Sequence, residues 1–108
     1  MAFQRACAVT DVTNATPLAV TVDDVAVAVV RQGDDFYAIY DECSHAAIPL
    51  SEGEVEDGEI ECWLHGSRFD LRTGKPSGPP ATEPVPTYPV RVEGDDLLVD
   101  VATPLTNN

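Results

Sequence analysis

Hydrophobic and polar positions alternate with a period of two along much of this chain. In "LAVTV" (18–22), Leu18, Val20 and Val22 share one face while Ala19 and Thr21 take the other, the signature of a half-buried strand. "VAVAVV" (25–30) is apolar on both faces, as a central strand would be. Only Asp23 and Asp24 separate the two runs, which predicts a hairpin with a tight two-residue turn. "GDDFYAIY" (33–40) predicts another turn and strand, and "VRVEGDDLLVDV" (90–101) a hairpin bending at Gly94, Asp95 and Asp96. Helical patterning is nearly absent: nine prolines and seven glycines punctuate the chain, and no stretch holds an i, i+3, i+4 pattern over three turns. The expected fold is all-β, an antiparallel sandwich or barrel-like base.

Residues 41–82 break this rhythm. They contain few strong strand patterns and carry "TGKPSGPP" (73–80), so they are expected to form a loop-rich subdomain inserted in the β scaffold. Functional side chains commonly sit on such loops, held by a rigid frame. With 108 residues the chain fits one domain, 1–108, large enough to bury a core unaided. The tail "TPLTNN" is expected to be loose.

Charge narrows the choice of partners. Nineteen acidic residues against six basic ones give −13, so neither nucleic acid nor an anionic membrane is an expected partner. A basic protein surface suits this field better, although solubility alone explains most acidic surfaces. Residues 51–61, "SEGEVEDGEIE", hold six of the acids and read first as a solvated face. No apolar run is long enough to span a bilayer, and "MAFQRACAVTDVTN" lacks the apolar core of a signal peptide. A cytoplasmic location is the expectation.

The chemistry lies in the cysteines and histidines. The chain has three cysteines and two histidines, and each histidine stands beside a cysteine: Cys43-x-His45, sixteen residues, then Cys62-x-x-His65. Cys7, in the apolar stretch "ACAV", reads as a buried strand residue. In a reducing compartment, metal binding is favoured over a disulfide for the other two. Two thiolates and two imidazoles would satisfy zinc, but structural zinc sites usually pair like spacings. One Cys and one His from each loop suits a binuclear centre, with both cysteines on one metal and both histidines on the other.

On these residues the chain resembles the Rieske proteins, whose pattern is C-x-H followed by C-x-x-H. The likeness extends through "CWLHGSRFDLRTGKP" and "GPPA" to Gly66, Phe69-Asp70, Thr73-Gly74 and Pro79. It implies the Rieske fold and one [2Fe-2S] cluster per chain, with Cys43 and Cys62 on the inner iron and His45 and His65 on the outer, nearer the surface. With two thiolates and two neutral imidazoles the oxidised core is formally neutral, whereas four thiolates would leave it doubly negative. The neutral core takes up an electron more readily, hence potentials of roughly −150 to +300 mV against about −400 mV for plant-type clusters.

High-potential relatives have two further cysteines bridging the loops and a tyrosine hydroxyl near a ligand cysteine. Here Ile48, Leu64 and Phe69 occupy those places, which implies a potential toward the low end. Ser67 pulls the other way if its hydroxyl reaches the cluster. Pro79 and Pro80 would shield the cluster, and Trp63 would exclude water or meet a partner.

An oxygenase site needs two further histidines and a carboxylate on a mononuclear iron, and both histidines are already committed. No G-x-G-x-x-G segment offers a nucleotide site. The resemblance therefore implies an electron carrier rather than an enzyme: a monomeric ferredoxin passing electrons from a flavin-dependent reductase to a terminal non-haem iron oxygenase. A Rieske-type protein associated with iron–sulfur cluster assembly and the small subunit of nitrite reductase are related alternatives, and a zinc-stabilised interaction module is one of a different class. Cys43→Ser or His65→Ala should abolish the cluster, whereas Cys7→Ser should leave it intact. Iron and acid-labile sulfide content with low-temperature EPR checks this, and a full Rieske signal from Cys43→Ser would refute it.

Overall fold

The computed structural model describes residues 3–43, 48–63, 66–77, 83–102 and 104. Its central element is a four-stranded sheet in the order β2-β3-β4-β8, built from Leu18–Val22, Val25–Gln32, Asp35–Tyr40 and Thr87–Tyr88. The predicted turn between β2 and β3 forms at Asp23 and Asp24, with φ of 50° and 65°. Both values lie in the left-handed region that a two-residue hairpin turn matching strand twist requires, and Asp tolerates that region better than most residues. Strand β3 runs two residues beyond the apolar run, to Gln32, where it pairs with Asp35.

A second sheet, β1-β10-β9, comprises Gln4–Ala8, Asp96–Val99 and Val90–Glu93. Asp96 is the first residue of β10 and pairs with Glu93, so the bend is Gly94-Asp95 alone, one residue tighter than the pattern suggested. Cys7 stands in β1, buried as expected, and burial pushes its thiol pKa up. A neutral, inert thiol is the result.

The alternation on β3 organises two cores. Val27 and Val29 pack with Cys7, Val22, Ala38, Leu97 and Val99 between the first two sheets. Ala28 and Val30 point to the opposite face, where Ile39, Leu50, Ile60, Phe69, Leu71 and Val85 join them. The second core lies under the segment that leaves β4 and returns at β8. The exit and re-entry are stitched together, since the Tyr40 N–H donates to the Pro86 carbonyl at 2.9 Å and Ile39 pairs with Thr87.

Within that segment stand three short antiparallel strands that the residue pattern did not announce: β5 (Val55–Glu56), β6 (Glu59–Glu61) and β7 (Arg68–Asp70). Val55 and Ile60 are opposite each other and buried, as is Phe69 opposite Ile60. The acidic run is therefore a hairpin with an apolar spine, and its charges flank that spine. Among the described residues, no helix is long and apolar enough to cross a membrane.

A short 3-10 turn, Leu50–Glu52, is pressed against the end of β6. Gly53 has an ordinary φ of −92°, yet a Cβ there would collide with the Glu61 carbonyl oxygen. Close backbone approach, not unusual dihedrals, makes glycine necessary. Gly53→Ala should destabilise the fold by about 3 kcal/mol, read as a lowered urea midpoint; an unchanged midpoint would show that the two segments separate freely.

Candidate metal centre

At the second core the chain closes on itself in the same way twice. In the first, the Cys43 N–H donates to the Ile48 carbonyl at 2.9 Å; in the second, the Cys62 N–H donates to the Ser67 carbonyl at 2.7 Å. Each bond closes the chain five residues beyond a cysteine, and each closure spans one of the two histidines in sequence. Cys43 and Cys62 are 2% and 0% exposed and belong to one apolar cluster with Leu50, Ile60 and Phe69. No disulfide joins any of the cysteines.

The second loop is tightened by Gly66, whose N–H donates to the Cys62 carbonyl at 2.9 Å. Its φ of 75° suits glycine, and a Cβ would meet nothing within 4 Å. The requirement is conformational, not one of space.

Beyond the loop, Asp70 Oδ1 accepts hydrogen bonds from the N–H groups of Arg72 (2.7 Å) and Thr73 (3.3 Å). The Gly74 N–H donates to the Asp70 carbonyl at 2.7 Å, so "FDLRTG" is one compact turn. It reverses the chain until Pro76 bridges Phe69 and the Ser77 N–H reaches the Arg68 carbonyl at 2.9 Å.

Of the four residues expected to hold the cluster, the structure brings Cys43 and Cys62 to one buried core, while His45 and His65 lie outside the described residues. Leu64, Pro79 and Pro80 lie outside them too. Phe69 is fully buried and brings no hydroxyl. Ser67 is 1% exposed, so its hydroxyl does not face bulk water. Trp63, next to Cys62, is 52% exposed and is not a core residue. Arg68 forks between Glu61 (3.3 Å) and Glu59 (3.6 Å), and the hydrogen bond to Glu61 raises its pKa. The fork relieves repulsion between two carboxylates on β6, a modest effect for partly exposed groups.

Asp41 and Ser51 carry no motif. Asp41 Oδ1 accepts from the Ser51 N–H at 2.7 Å and Oδ2 from the Ser51 Oγ at 2.6 Å. No periodicity or ligand spacing flags an Asp and a Ser ten residues apart.

The family model described as Rieske [2Fe-2S] domain matches residues 2–89. The chain belongs to the Rieske [2Fe-2S] family. It is 44% identical over 101 residues to the biphenyl dioxygenase ferredoxin subunit of Pseudomonas sp. (strain KKS102), covering 93% of each chain. It superposes with a TM-score of 0.87 on the ferredoxin of carbazole 1,9a-dioxygenase from Nocardioides aromaticivorans IC177, at 42% identity over 92% of this chain and 97% of that one. A ferredoxin solved in a complex of reduced oxygenase and oxidised ferredoxin in carbazole 1,9a-dioxygenase matches with a TM-score of 0.83 and 37% identity, over 90% and 91% of the two chains.

This Rieske protein is an electron carrier with a Rieske-type [2Fe-2S] cluster, not itself an enzyme. A Rieske-type cluster, not zinc, is therefore the group against which the donor residues are tested. Two buried, unbridged cysteines at equivalent places in two matching loops fit the thiolate half of such a centre, because buried thiolates need a cation to offset their lost hydration. With its hydroxyl out of bulk water beside this site, Ser67→Ala should lower the midpoint potential while retaining the cluster. The expected drop is tens of mV, since a hydrogen bond worth about 1 kcal/mol equals about 40 mV in a one-electron couple. Protein-film voltammetry checks this, and an unchanged potential would show that the hydroxyl does not act on the cluster.

Proposed function

We propose that this protein is the ferredoxin of an oxygenase system, taking single electrons from a flavin-dependent reductase and delivering them to a terminal non-haem iron oxygenase. Residues 41–82 of its single domain are read as the cluster-binding subdomain. Cys43 and Cys62 would hold the inner iron, and His45 and His65 the outer. When bound, the cluster supplies a one-electron couple between ferric and ferrous iron. The protein is placed in the cytoplasm as a monomer, in a compartment where three cysteines stay reduced.

The observation that carries the reading is end-to-end likeness: 93% of this chain aligns with 93% of a dioxygenase ferredoxin subunit. The chain's own residues supply the rest. The closures at Ile48 and Ser67 set both cysteines at the base of their loops. The apolar cluster of Leu50, Ile60 and Phe69 keeps water from that base. Trp63 offers an exposed aromatic surface beside the second loop, the kind of group that anchors protein contacts. The excess of acids favours partners with basic docking faces.

The chemically reduced, cluster-loaded protein should be reoxidised by a terminal oxygenase within its turnover time, with product formed. Trp63→Ala should raise the concentration needed for half-maximal transfer about tenfold, as for a moderate aromatic contact, and leave the potential unchanged. A reduced protein with a normal Rieske EPR signal that no terminal oxygenase reoxidises would refute this reading.

A further inference from the structure

Asp41 directly follows β4, and Ser51 lies in the 3-10 turn Leu50–Glu52. Between them runs the first loop, with Cys43 and His45. The Asp41 carboxylate uses both oxygens on Ser51, at 2.7 and 2.6 Å, in a part-buried setting. Short, charge-assisted bonds of this kind are about twice as strong as neutral ones, and a two-point contact fixes orientation as well as distance.

The clamp sits in a chain of fixed contacts. On the β4 side, the Asp41 N–H donates to the Ala26 carbonyl at 3.0 Å, which roots it in the central sheet. On the Ser51 side, the fully buried Leu50 anchors the turn in the second core, and Gly53 lies against the Glu61 carbonyl. Glu61 is the residue before Cys62, and its N–H donates to the Glu54 carbonyl at 2.8 Å. Asp41 thus sits where the foot of the first loop is tied to the strand that leads into the second.

We propose that Asp41, acting through Ser51, is a positioning residue that fixes the first cluster loop relative to the second and so holds the two halves of the ligand set at one separation. This rests on the assignment of Cys43 and His45 as ligands. The direct Cys43–Ile48 bond shapes the loop itself; the Asp41–Ser51 pair sets where that loop stands. A loop released from the clamp would present its ligands over a spread of positions. The reduced cluster would then give a broadened EPR signal and be lost more readily.

The test uses the full, cluster-loaded chain with Asp41→Ala, Asp41→Asn and Ser51→Ala. Each is compared with Val27→Ala, which weakens the other core. EPR line width after reduction, the rate of cluster bleaching under a chelator and the urea midpoint are measured together. Asp41→Ala should broaden the signal and speed bleaching about tenfold, the scale of a lost charge-assisted hydrogen bond. Ser51→Ala keeps its backbone N–H bond and should fall between Asp41→Ala and the parent, as should Asp41→Asn, which retains acceptor capacity. Val27→Ala should lower the urea midpoint with the parent's line width. A parent-like line width and bleaching rate in Asp41→Ala, or equal broadening in Val27→Ala, overturns the clamp. Cys43→Ser run alongside separates the two readings: if it is silent, failure belongs to the clamp alone, and if it keeps the signal, the ligand assignment falls and takes the clamp with it.

Discussion

Val27, Ala28, Val29 and Val30 on β3 are all closed to water, so one strand forms a wall shared by two apolar cores. Each buried valine contributes roughly 1.5 to 3 kcal/mol of hydrophobic stabilisation. Burying both faces commits the strand to an interior place. The β1-β10-β9 sheet covers one side, and the long excursion between β4 and β8 covers the other. Cys43 and Cys62 are thereby kept on one side of the wall, with Cys7 on the other.

Because the excursion leaves and returns beside the same strand, its ends are held by the central sheet while its interior is free to be shaped by local chemistry. Turn residues then do what strands do elsewhere: Gly66 permits the sharp return of the second loop, and Asp70 gathers the amides that follow it. The short strands β5, β6 and β7 add backbone pairing to this region, and their apolar residues join the same core as Cys43 and Cys62.

The parts of the site differ in how openly the residues announce them. Cys43, His45, Cys62 and His65, the proposed ligands, stand out because donor type and spacing are chemical constraints, written in the sequence whatever the fold around them. Asp41 and Ser51 do not, because either residue in a loop commonly bonds its own neighbouring backbone. The hairpin at Val55–Glu61 was hidden for a related reason. Its strands are two and three residues long, shorter than the window in which alternation becomes distinguishable from chance.

By itself, then, the sequence determined the strand-forming runs of the base, the Asp23–Asp24 turn and the burial of β3 on both faces, and it supplied the donor types of the proposed ligand set. These follow from periodicity, turn chemistry and donor atoms, which act over a few residues. Only the tertiary structure decided that two cores exist and which cysteines share one. It also decided that Ser67 is buried while Trp63 is exposed, and that Asp41 reaches Ser51. Those outcomes depend on which distant segments pack together, and that is set by closing apolar surface over the whole chain, not by any local pattern.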